Sequence, residues 1–245
     1  MCQYYRSLGF DPFEVAIPLT FHIKSQSDPE FQTFCQQFDR KKKGIWIVKP
    51  GENSNRGCGI EVTDSLLEIK SMINQNSQKN GTAIIQKYIE KPLLINQRKF
   101  DVRAFAMFTS INGFKKGFVY KDVYLRTSSK VFDLTNLANR FVHLTNDAIQ
   151  QNSEDFGKFE SANKLSINDF QKYLDTAFPD KHVNFMRDLF PRMERLITDS
   201  FRAVYKKIDQ SHLRNTFEIF GYDFMIDQQF KVYLIECNTN PCLEI

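Results

Sequence analysis

No run of about 18 apolar residues occurs, so no membrane-crossing helix is expected. The opening residues MCQYYRSLGFDPFEV lack the basic-then-apolar build of a secretory signal. Cysteine is sparse: Cys2, Cys35, Cys58, Cys237 and Cys242 are scattered, odd in number and without a CxxC pair. A disulfide framework and a thiolate zinc site are therefore disfavoured, and a reducing cytoplasmic setting is expected. Glycine has no period and no heptad is sustained, which removes the collagen-like and coiled-coil classes. An excess of one charge is lacking too. The 33 basic and 29 acidic residues leave +4, which permits an acidic partner and does not argue for nucleic acid. What the sequence has in abundance is aromatic surface. With 24 Phe and 9 Tyr in 245 residues, the chain must fold to remove it from water. The length suits one large domain or two small ones.

Residues 1–44 read as a lead-in broken by Pro12, Pro18 and Pro29. A short apolar strand at 45–48 leads through a glycine-bearing loop, 51–59, to a second strand at 60–62. Leu66, Leu67, Ile69 and Ile73 then mark one side of a helix, with Thr63 as its N-cap. A strand over 82–89 stops before Pro92. Strands are expected at 99–110 and, after the turn Asn112-Gly113, at 118–126. Ser166 to Asp169 has the form of a capping box opening a helix. A longer helical stretch, 182–208, carries Pro191 as a kink or break. Two strands, 217–227 and 230–238, close the chain around Gln228-Gln229. Without strict βαβ alternation this mixture is α+β.

The last hairpin carries the most chemistry. Alternation puts Glu236 and Asn238 on one face, and pairing about Gln228-Gln229 brings Asp223 opposite Leu234 or Glu236. Such oxygen donors suit magnesium; acids on an exposed hairpin fit the same pattern. Lys99, Asp101 and Arg103 share one side of their strand, either to hold phosphate or as the outer face of a half-buried sheet. Arg126 supplies a guanidinium suited to a carboxylate. The loop from Lys49 to Ile60 can bring backbone N–H groups, Lys49 and Arg56 to an anion. It is neither a Walker A loop nor a dinucleotide fingerprint. Cys58 and Cys237 have no His nearby in sequence, so no nucleophile stands out; His143 fits a polar contact.

These stretches, in their order, resemble the tubulin–tyrosine ligase-like family of the ATP-grasp superfamily. The matches are Trp46 to Pro50, Arg56 to Ile60, Gln86 to Leu94, Arg98 to Arg103, Leu125 to Ser129, His143 to Asn146, Phe220 to Asp227 and Val232 to Asn238. The resemblance implies two α+β ATP-grasp subdomains enclosing a nucleotide cleft, at 45–98 and 99–245. It also implies that the N-terminal subdomain is largely missing and the C-terminal one cut short. Lys49, Arg56 and Gly57 would hold phosphates; Gln86, Lys87, Tyr88 and Ile89 would line the adenine pocket and read the base through their backbone. Lys99 and Asp101 would face the phosphates, assisted by Asn146, and Asp223, Glu236 and Asn238 would bind Mg2+. Arg103, Arg126 and Thr145 would position the amino-acid or acceptor carboxylate.

The implied activity is an ATP- and magnesium-dependent ligase. A carboxylate takes the γ-phosphoryl group, and an amine then displaces phosphate to give an amide. The implied partners are a free amino acid and tubulin or another protein with an acidic tail, with Lys115, Lys116 and Lys121 as contributors. Neither nucleic acid nor a membrane is implied, and the setting is cytoplasm, cytoskeleton or cilium. Gln151 stands where many members carry Lys, which argues against glutamate addition, while Ile149-Gln150 and Leu125 to Ser129 look closer to the tyrosine-adding branch. The amino acid is left open, as is an inactive nucleotide- or microtubule-binding module of the same fold.

Overall fold

The computed structural model describes residues 1–40, 44–52, 57–208 and 215–243. The chain opens with α1 (Cys2–Ser7), α2 (Pro12–Val15), β1 (Thr20–Ile23) and α3 (Pro29–Arg40). Next come β2 (Trp46–Pro50), β3 (Glu61–Thr63), α4 (Leu66–Gln78), β4 (Ala83–Lys87) and β5 (Leu94–Ile95). The long strand β6 (Arg98–Ile111) leads into β7 (Phe114–Val119) and β8 (Tyr124–Val131). Then follow α5 (Arg140–His143), α6 (Asp147–Gln150), β9 (Lys164–Ser166), α7 (Ile167–Ala177), α8 (Phe190–Val204), β10 (Thr216–Ile226) and β11 (Val232–Thr239). Helices and antiparallel strands are mixed, so the fold is α+β. The chain forms two compact units, one from 18–99 and 128–163, the other from 1–17, 100–127 and 164–245.

In the first unit a four-stranded sheet has the order β1-β4-β2-β3. Period-2 alternation sends Trp46 and Val48 to one face, where they join Phe21, Phe31, Phe34, Ile69, Ile73 and Ile85 in a core closed by α3 and α4. The opposite face collects Ile45, Val62 and Tyr88, with Phe132 and Leu137 against them. Residues 1–44 therefore do more than lead in. β1 pairs with β4, and Phe34 of α3 is fully buried. The prolines misled because Pro12 and Pro29 occupy first positions of helices, where the missing N–H is no loss. The N-cap of α4 is Ser65, not Thr63; the Thr63 hydroxyl accepts from the Ser65 amide at 3.0 Å and donates to Glu68. This phase buries Ile69, Met72 and Ile73 and turns Leu67 outward.

The second unit is built on the path β11-β10-β6-β8-β9, with β7 also paired to β6. The expected strand over 118–126 is in fact the end of one strand and the start of another. Asn112 and Gly113 both have positive φ, which makes the two-residue hairpin turn whose twist suits antiparallel strands, so β7 starts at Phe114. Ser166 caps α7 by accepting from the Asp169 amide at 3.1 Å, and Phe170 and Leu174 are buried while Ala177 is exposed. Phe170 meets Phe100 at 5.2 Å, and Phe201 of α8 meets Phe108 at 5.4 Å and Phe220 at 5.7 Å. Pro191 lies in the first turn of α8, just after the π-turn Phe185–Leu189, so the expected break is the helix boundary.

The orientation of α4 gives a direct check. Ile69→Ala should lower unfolding free energy by roughly 2–5 kcal/mol, because it empties part of a closed core. Leu67→Ala should stay within about 0.5 kcal/mol. Denaturant melts of the two variants measure both, and equal losses would contradict the phase of the helix.

Candidate functional site

The β10–β11 hairpin positions the acidic residues by a device that alternation alone does not reveal. Its turn is set by Asp227, whose carboxylate accepts from the amides of Gln229 (2.9 Å) and Lys231 (3.0 Å) and from the Tyr233 hydroxyl (3.0 Å). From there Ile226 pairs with Val232, Met225 with Tyr233 and Phe224 with Leu234. Continued unchanged, this register would set Ile235 against Asp223. A bulge intervenes, and Asp223 pairs with Glu236. The extra residue moves Glu236 and Asn238 to the face of Asp223 and leaves Leu234 on the apolar side with Phe224. Of the two partners open to Asp223, the structure has Glu236.

β6 lies on the other side of β10 and pairs Arg103 with Asp223. Arg103 donates to Asp223 from Nε (2.6 Å) and Nη2 (3.2 Å). Arg126 of β8 reaches the same carboxylate from Nη2 (2.9 Å) and donates to Asp101 from Nε at 3.1 Å and from Nη2. All four residues are at most 8% exposed. They are thus not the solvated outer face that the strand pattern allowed. Two Arg and two Asp make a neutral buried set, the condition under which charges tolerate burial. Burial by itself would raise the Asp223 carboxyl. The guanidinium groups of Arg126 and Arg103 outweigh it and hold the group below the usual carboxylate range. Burial likewise works against the Arg126 cation, and Asp101 and Asp223 overcome it. Gly221, two residues before Asp223, is required by space: a Cβ there would stand 2.8 Å from Pro241 and 3.5 Å from Arg103 Nη1.

Among the described residues no three His, Cys, Asp or Glu side chains converge as a metal site. A cation here would rest on Asp223, the exposed Glu236 and the Asn238 amide oxygen, with water and phosphate completing its shell. These hard oxygens fit Mg2+, although two guanidinium groups already occupy much of the Asp223 lone-pair capacity.

In the other unit, Lys49 Nζ on β2 donates to Gln86 Oε1 on β4 at 3.3 Å, and Gln86 Nε2 donates to Thr20 Oγ1 at 2.9 Å. The amides of Lys87 and Tyr88 donate to the carbonyls of Leu19 (2.7 Å) and Ile45 (3.1 Å). Base reading by those two residues would thus use other main-chain groups, and Ile89 lies beyond the last β4 residue. Lys99 is 5% exposed; its ammonium donates to the His143 carbonyl at 2.6 Å and to the Tyr88 hydroxyl at 3.3 Å. Thr145 is buried and Asn146 is half-buried at the start of α6.

Arg56 lies outside the described residues, but both flanks of its loop are fixed by groups that sequence reasoning missed. Gly51 N–H donates to the Thr82 carbonyl at 2.8 Å, and the Glu52 carboxylate accepts from the Thr82 amide (2.6 Å) and hydroxyl (2.8 Å). At the other flank Arg140 Nη2 donates to the Gly57 carbonyl at 2.6 Å. Gly57 has φ +76°, a left-handed backbone that favours glycine, and a Cβ there would also make the Ile149 terminal methyl move from 2.5 Å. Gln150 is fully buried: its oxygen accepts from the Ser129 amide at 2.8 Å, and its nitrogen donates to the Phe141 (3.2 Å) and Leu144 carbonyls. Arg98 is equally hidden, paired with Glu160 and lying 4.2 Å from the Phe159 ring centroid. Gln151, by contrast, is exposed. A capping or anchoring role of this kind leaves no local sequence signal, because the partners lie from 6 to 83 residues away, outside any repeating pattern.

Comparison with known proteins places these residues in a family. A profile of the Tubulin-tyrosine ligase family matches residues 10–245. Tubulin glycylase 3A of Drosophila melanogaster is 37% identical over 204 residues, covering 82% of this chain and 20% of that protein. Tubulin glycylase 3D of Tetrahymena thermophila is 33% identical over 237 residues, covering 96% and 22%. The probable alpha-tubulin polyglutamylase Ttll1 of the same organism is 30% identical over 238 residues, covering 94% and 55%. The chain spans less than two thirds of the length of each of these relatives. With the match running over nearly its whole length, the chain belongs to the tubulin-tyrosine ligase family.

Proposed function

We propose that this chain carries the catalytic residues of an ATP- and magnesium-dependent ligase that joins an amino acid to a protein acceptor, tubulin. The observation that carries the reading is the buried row Asp101–Arg126–Asp223–Arg103, with Glu236 set opposite Asp223 by the bulge. Such a row can meet both an anionic phosphoryl group and a carboxylate without a protein nucleophile, and acyl activation by ATP needs none.

In the proposed reaction a carboxylate oxygen attacks the γ-phosphorus, the bond to the β-phosphate oxygen breaks, and ADP leaves. The amine nitrogen then attacks the acyl carbon, the carbon–oxygen bond to phosphate breaks, and the amine loses a proton. Lys49, Arg56 and Gly57 hold the nucleotide phosphates, Lys99 and Asp101 face them with Asn146 assisting, and Gln86 to Ile89 line the adenine pocket. Arg103 and Arg126 orient the reacting carboxylate with Thr145; their ion pairs to Asp101 and Asp223 use Nε and Nη2, so Nη1 is the edge offered to substrate. Mg2+ held by Asp223, Glu236 and Asn238 would neutralise charge on the phosphate oxygens.

Glycine is the amino acid supported by identity: the two glycylases are 37% and 33% identical to the chain against 30% for the polyglutamylase, and the likeness to a tyrosine-adding branch rests on two short stretches. The exposed Lys116, lying over the Phe118 ring, and the half-buried Lys115 are cations that suit an acidic acceptor tail. A cytoplasmic and cytoskeletal setting follows from that acceptor.

Two measurements test the reading. Incubation with tubulin, ATP-Mg and labelled glycine, glutamate or tyrosine should give incorporation, with glycine first. Glu236→Gln should lower kcat on the order of 100-fold. Nucleotide binding without incorporation of any amino acid would return the chain to an inactive binding module. Separately, Lys99→Ala should weaken ATP-Mg binding about tenfold or more, since it removes a charged donor. Unchanged affinity in calorimetry would take Lys99 out of the phosphate site.

A further inference from the structure

Behind Lys99 lies a chain of hydrogen bonds whose direction can be read atom by atom. The Asn136 carbonyl can only accept, so His143 Nε2, 3.1 Å away, carries a proton. The Tyr88 hydroxyl stands 2.9 Å from His143 Nδ1. His143 is 1% exposed. Burial, opposed by the Asn136 hydrogen bond and joined by the Lys99 charge, holds its pKa below the ordinary histidine value. The ring is therefore neutral, and Nδ1 is an acceptor. The Tyr88 O–H must then donate to Nδ1, which turns a phenolic lone pair to the Lys99 ammonium at 3.3 Å.

Aromatic packing surrounds this arrangement. The Tyr88 and Phe132 rings lie parallel, 8° apart at 6.5 Å, and the His143 ring stands edge-on to both at 83°. The Lys99 ammonium also lies 4.8 Å from the Tyr88 ring centroid, and its bond to the His143 carbonyl ties it to the same residue's main chain.

We propose that His143 is a positioning residue for Lys99: its neutral imidazole orients the Tyr88 hydroxyl so that an oxygen lone pair, rather than the proton, meets the ammonium. The inference rests on the reading of Lys99 as a phosphate-binding group. Reversed polarity, with a proton on Nδ1, would add a second cation beside Lys99 and occupy the phenolic lone pair. A histidine that only pinned the loop at Asn136 would need Nε2 alone. A positioning histidine needs the acceptor at Nδ1.

That difference supplies the test. In His143→Asn the amide oxygen stands near the place of Nδ1, whereas in His143→Gln the amide nitrogen stands near the place of Nε2. Calorimetric titration with ATP-Mg should find His143→Asn within about threefold of wild type, while His143→Gln and His143→Leu weaken binding about tenfold. All three should lower Tm. Rescue by Gln instead of Asn, equal weakening by both, or unchanged affinity in all three would overturn the proposal. Nitrogen-15 NMR of the wild-type chain gives a readout that needs no variant: Nδ1 should be unprotonated and Nε2 protonated at pH 7, and a proton on Nδ1 overturns the relay. Lys99→Ala separates the two levels. If it leaves ATP-Mg affinity unchanged, the phosphate reading fails and the inference falls with it. If it weakens binding while His143→Gln does not, the inference alone fails.

Discussion

One carboxylate organises the second unit. Asp223 sits on β10, paired on both sides, with a guanidinium reaching it from Arg103 on the neighbouring β6 and another from Arg126 on β8. Removal of any one member would leave a buried charge without compensation, an error that typically costs several kcal/mol. The sheet therefore has little freedom in register, because a slip of one residue would exchange the charged face for the apolar one. The opposite face enforces the same register through Phe100, Phe108 and Phe220, which pack against Phe170 of α7 and Phe201 of α8. Charge pairing on one face and aromatic packing on the other thus fix a single alignment of β6, β10 and β11.

The first unit solves a different problem. It ties loops beside a four-stranded sheet to side chains that lie apart in sequence. Glu52 on Thr82 and Arg140 on Gly57 hold the two flanks of the glycine loop. Gln150 binds the Ser129 amide to the segment that carries Thr145 and Asn146. Lys99 is held by a carbonyl, a hydroxyl and an aromatic face. Both units place fixed charges, and in the sequence no nucleophile stands out.

Much of the fold could be read in advance where one local rule sufficed. β2, β4, β6 and the closing hairpin follow from period-2 alternation, and α7 from the Ser166 cap. Errors arose where two rules competed at one place. Pro12 and Pro29 looked like breaks but begin helices, Thr63 looked like a cap but serves the turn before Ser65, and Leu67 shares the composition but not the phase of the buried stripe. Of the site, Asp223, Glu236 and Asn238 were legible as oxygen donors on one hairpin. Glu52, Thr82, Arg140 and Gln150 were not, because each acts through a partner between 6 and 83 residues away.

Residue types and their spacing were enough to determine an α+β chain, the hairpin that carries the acids, and the strand that carries Lys99, Asp101 and Arg103. They could not determine whether those charges faced water, since a polar alternation looks the same on a solvated surface and in a neutral buried network. Nor could they place Glu236 opposite Asp223, because the bulge that does so is a local break in the very period used to read the strand. Tertiary structure decided both, through two different demands: buried Asp101 and Asp223 must meet the guanidinium groups of Arg103 and Arg126 on neighbouring strands, and a one-residue bulge between β10 and β11 sets Glu236 on the Asp223 face.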